Sequence, residues 1–127
     1  MANTPYQGSE RPLHSALRRF DLKAEVERLR GEKEWQEGRR HNTITLHKSG
    51  GLSMVLLVMR AGEGLEEHSA PGPIALSVRE GRIRFKAAGE EAVEAGTETV
   101  LTCEAGVRHT VEALSDAVCL LSIVTAR

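Results

Sequence analysis

The chain reads as all-β, a jelly-roll barrel of two packed sheets led in by a short helical segment. Three observations predict this. From residue 39 onward the sequence breaks into short β-branched and aliphatic runs, separated at regular spacing by turn residues. Within several runs apolar and polar residues alternate with the period of two that a half-buried strand requires. No long helical pattern interrupts them, and strand count and turn spacing suit a double-sheet jelly roll. The expected organisation is an N-terminal arm and short helix over residues 1–38 and a barrel over residues 39–127.

Residues 1–14 show no periodicity and contain Pro5, Gly8 and Pro12, which predicts a loose arm. Asp21 is a good N-cap, and Leu22, Val26 and Leu29 fall on one helical stripe that Gly31 closes. Residues 32–38 form a second polar stretch holding the single tryptophan, Trp35, a side chain suited to burying apolar area against the body. Strands are expected over 39–48, 52–61, 74–79, 82–86, 90–95, 97–103, 107–113 and 117–124. Ser49-Gly50-Gly51, Glu80-Gly81, Ala88-Gly89 and Ser115-Asp116 supply turns between them. The rigid Ser69-Ala70-Pro71-Gly72-Pro73 link fits the start of an edge strand.

Alternation assigns the faces. Ile74, Leu76 and Val78 point inward; so do Ile83 and Phe85, with Arg82, Arg84 and Lys86 pointing out. His109 shares its face with Val107, Val111 and Ala113, which directs it into the barrel. Asn42 lies with Ile44 and Leu46 on an apolar face and is a polar candidate for the interior, whereas His41 and His47 lie on the other face with Thr43 and Thr45. The runs 52–59 and 117–124 are apolar on both faces and need a cover on the outside as well as a core on the inside.

Composition narrows the function. Seventeen basic residues balance eighteen acidic ones, and no basic stripe suited to a phosphate backbone is present, so a nucleic-acid role is not expected. The first twelve residues lack the apolar core of a secretory signal, and the longest apolar run, 54–59, is too short to span a bilayer. A soluble cytoplasmic protein without membrane partners is expected. Cys103 and Cys119 lie in strand-like surroundings with no Cys-x-x-Cys spacing, which fits a reduced, buried pair. No Gly-x-Ser-x-Gly elbow, P-loop or dinucleotide fingerprint occurs. Glu66-Glu67 and Glu90-Glu91 are adjacent carboxylates, which on a strand diverge and read as solvated surface charge.

Two stretches carry chemistry. In the first, Gly62 is followed after five residues by His68 and later by Gly81; in the second, Gly106 precedes His109 by three. In order and spacing they resemble the two consensus motifs of the cupin superfamily. That resemblance implies a double-stranded β-helix barrel, commonly a dimer, which makes a homodimer the expected cover for the doubly apolar strands. It also implies a divalent metal, Fe, Mn, Ni or Zn, held by three histidines and a glutamate. Here Ala70 and Ile74 stand at the second histidine and the glutamate, and only His68 and His109 remain as metal ligands. The sequence also departs from the motifs at Glu98, Glu104 and Ala113, where glycine, proline and asparagine are usual. Three readings follow: a small-molecule-binding barrel with His68, His109 and Asn42 as polar anchors, a reduced-ligand metalloenzyme of dioxygenase or isomerase type, or a structural or partner-binding barrel.

Overall fold

A computed structural model of the protein describes residues 16–38 and 42–125. The chain forms two compact units, Met1–Arg39 and Arg40–Arg127. In the first, α1 (Leu22–Arg30) begins at Asp21, whose extended backbone lets its side chain accept a hydrogen bond from the Ala24 amide at 3.1 Å. Its end is fixed by Gly31, whose N–H donates to the Glu27 carbonyl at 3.1 Å. Val26 and Leu29 are buried along the expected stripe. The second polar stretch contains one helical turn, α2 (Lys33–Gln36), with Trp35 buried and the Arg30 guanidinium 5.8 Å from its ring centroid.

The second unit is built from nine strands: β1 (Asn42–Ser49), β2 (Leu52–Met59), β3 (Gly64–His68), β4 (Ile74–Glu80), β5 (Ile83–Ala87), β6 (Val93–Ala95), β7 (Val100–Cys103), β8 (His109–Ala113) and β9 (Ala117–Val124). They form two antiparallel sheets ordered β1-β2-β9-β4-β7 and β3-β8-β5-β6, a jelly roll as the sequence predicts. The strand not anticipated is β3. Its Gly-Leu-Glu-Glu-His sequence has no alternation, and its register against β8 slips between Leu65 and His68, leaving both Glu66 and Glu67 exposed. The first three residues of the first expected strand, 39–41, lie outside the described ones.

The core lies between the sheets. Leu57, Met59, Leu76, Val78, Ile83 and Cys119 are at most 2% exposed and form one cluster with Ile74, Phe85 and Val111. On the other side of β5, Arg84 bridges Glu112 at 2.9 Å and Glu94 at 3.2 Å. The outer faces of β2 and β9 pair Leu52 with Val124 and Val58 with Val118. Leu56, Val58 and Val118 on that face are buried within the chain, while Leu52 and Val124 are 37% and 53% exposed. The Ser69–Pro73 link is fastened to β9, because the Val124 amide donates to the Pro73 carbonyl at 3.0 Å.

The motif glycines explain themselves through the backbone. Gly62, Gly81 and Gly106 all have positive φ, the left-handed region that side chains with a Cβ avoid. Glu98 occupies the fourth such position and is the non-glycine residue with positive φ among those described, at 65°. The turn is kept although the residue that suits it is absent. Glu98→Gly is expected to stabilise the protein by up to about 1 kcal/mol, relief of the left-handed penalty being partly offset by the freer unfolded chain. Urea unfolding of the two proteins side by side checks this, and a destabilised variant would refute the strain.

Candidate functional site

Strand pairing brings the two motif histidines together. His68 closes β3, His109 opens β8, and the two are direct register partners. Their ring centroids are 4.4 Å apart, with the planes at 63° in an edge-to-face arrangement. His109 is 4% exposed and His68 half-buried. Phe85 stacks on His109 with centroids 5.1 Å apart and planes within 16°. This contact follows from β5 lying beside β8, which pairs Ala87 with His109 and Phe85 with Val111.

Each imidazole is held by its own strand. His68 Nδ1 donates to the Glu66 carbonyl at 2.7 Å, and His109 Nδ1 donates to the Val107 carbonyl at 3.0 Å. A carbonyl oxygen only accepts, so Nδ1 of each ring carries a proton.

Asn42 opens β1 and its backbone pairs with Val58 in the five-stranded sheet, while its side chain lies outside the described residues. His41 also lies outside the described residues, and His47 pairs with Ser49 near the β1–β2 turn.

A cleft of about 490 Å³ opens between β5 and β6 of one sheet and β7 of the other, with neither histidine among its lining residues. Phe85, Leu101, Cys103 and Val107 contribute its apolar lining, and Glu90, Glu91 and Glu104 also lie in its wall. Phe85 belongs to both features, lining the cleft and stacking on His109. Its inward direction was legible from alternation; its neighbour was not, because β5 and β8 are far apart in sequence.

The donor set does not fit a resident divalent ion. Ile74 is buried in the core cluster and Ala70 packs against it, so the positions where the motifs place a glutamate and a second histidine supply no donor atom. Among the described residues no group of three or more His, Cys, Asp or Glu side chains is arranged to hold a metal ion. Two imidazoles fall short of the three or four protein ligands such ions take. Cys103 and Cys119 are both free and buried, and burial pushes the Cys119 thiol up to about 12.

A two-sheet antiparallel jelly roll, with motif glycines at its turns and motif histidines facing each other across a strand pair, defines a cupin barrel. Comparisons with solved structures agree. The chain is similar to an RmlC-like cupin protein from Desulfovibrio desulfuricans, at 28% identity over 67% of this chain and 82% of that one, with a TM-score of 0.62. It is similar to a cupin superfamily protein from Desulfitobacterium hafniense, at 16% identity over 68% and 79%, TM-score 0.65. It is also similar to a Cupin 2 conserved barrel domain protein from Leptotrichia buccalis, at 27% identity over 72% of this chain and 44% of that one, TM-score 0.65. No family model and no curated protein matches the sequence. The chain has the fold of the cupin superfamily. Among the described residues, no helix is long and apolar enough to cross a membrane.

Proposed function

We propose that this cupin binds a small organic molecule in the cleft beside His109, without a resident metal. The observation that carries the reading is the shared Phe85, which lines a space of about 490 Å³ and stacks on the buried His109. That volume lies within the roughly 300–1,000 Å³ range of small-molecule sites, and an apolar wall with a few polar groups is their usual make-up. Phe85 and the rest of the apolar wall contribute contact area, and His109 backs the Phe85 ring from the side away from the cleft lining.

A thermal-shift screen with and without EDTA tests this. A true ligand at a concentration of about 100 times Kd stabilises the folded state by about 2.7 kcal/mol, a shift of several degrees for a domain of this size. The shift is expected to survive chelation and to vanish in His109→Ala and in Leu101→Trp, which fills the cleft. Ligand shifts that disappear with EDTA would instead support a divalent-metal enzyme of the dioxygenase or isomerase type, with substrate or water completing the coordination. No shift with any compound would favour a structural or partner-binding barrel.

A further inference from the structure

We infer that the molecule held in this cleft is a small organic cation, an amine carrying an apolar body. This rests on the proposed binding role of the cleft and adds the charge of what it takes. Negative charge reaches the cleft from two sides: Glu90 and Glu91 come from the β5–β6 connection, and Glu104 follows the end of β7. No lysine or arginine lines it. Among the described residues none of these three carboxylates forms an ion pair. Elsewhere on the barrel the pattern differs: Glu94 and Glu112 are paired with Arg84, and Glu67 with Arg108. Lys86, between Phe85 and Ala87 on β5, is not among the lining residues, and its ammonium donates to the Ala87 carbonyl at 3.1 Å.

An anion would find three like charges and no cationic side chain in the wall. Phe85 completes the fit, since an aromatic ring attracts a cation over its face while supplying apolar contact.

The test uses three probes of one shape and different charge: benzylammonium, benzyl alcohol and benzoate. Each is titrated into the full chain at matched ionic strength and followed by NMR. Benzylammonium is expected to bind about tenfold more tightly than benzyl alcohol, with benzoate weakest and the preference shrinking as salt rises. In the combined Glu90→Gln, Glu91→Gln, Glu104→Gln protein, whose changes are all at exposed positions, the preference should collapse while benzyl alcohol binds as before. Equal binding of the three probes, or a preference for benzoate, would overturn the cation assignment and leave the cleft as a binding site. If none of the three perturbs the Phe85 resonances, the cation assignment falls together with the binding role of the cleft.

Discussion

Gly81→Ala is expected to destabilise the barrel by about 2–4 kcal/mol and to lower Tm by on the order of 10 °C. Two costs add at this position. The backbone sits at φ +79°, where any Cβ costs about 1–2 kcal/mol. A Cβ would also lie 2.0 Å from the Asp116 carbonyl oxygen and 3.0 Å from the Ala117 Cα, both backbone atoms in the turn between β8 and β9. Gly89 separates the two costs, because it has φ +81° and nothing within 4 Å of its would-be Cβ. Gly89→Ala should therefore lose only about 1 kcal/mol. Urea denaturation of both variants gives the comparison, and equal losses would mean that the close approach at Gly81 contributes nothing.

Raising the pH above about 9 is expected to destabilise the protein through Cys119. The side chain is fully buried between Leu57 of β2 and Val78 of β4, and desolvation raises its thiol from 9.0 to about 12. Below pH 9 both folded and unfolded chains keep the proton, and the group is neutral to stability. Between 9 and 12 the unfolded chain releases it and the folded chain does not, so stability falls as pH rises. At about 1.4 kcal/mol per pH unit the loss reaches roughly 3–4 kcal/mol by the top of that window. Other groups titrate there too, so the quantity to read is the difference between wild type and Cys119→Val in urea midpoint across the range. Parallel pH profiles for the two proteins would exclude this thiol as the cause.

Much of the barrel was legible in the sequence because period-two alternation reports burial directly. Ile74, Leu76, Val78, Ile83 and Phe85 face the core as the pattern requires, and Arg82 and Lys86 face out. The inward direction of His109 was legible for the same reason. What alternation cannot see is a slipped register. The bulge in β3 hid that strand. Nor does it see pairings between strands remote in sequence, which is why the stacking of Phe85 on His109 and the cleft between β5, β6 and β7 emerged only in three dimensions. The motif spacing contributed something different. It located the left-handed turns, including the one at Glu98, where the residue had changed and the conformation had not.

The backbone bonds of the two histidines have a kinetic and entropic consequence. Neither imidazole can rotate about its side-chain bonds without breaking a hydrogen bond to a carbonyl two residues earlier on its own chain. His109 is further clamped by the Phe85 ring. A molecule held in the cleft as proposed would find Phe85 backed by a pair whose orientation is set before encounter, and would avoid the roughly 0.5–1.5 kcal/mol per side chain that ordering loose groups would cost. Association at such a rigid pair should be limited by entry into the cleft rather than by rearrangement, and differences among ligands should appear chiefly in how fast they leave.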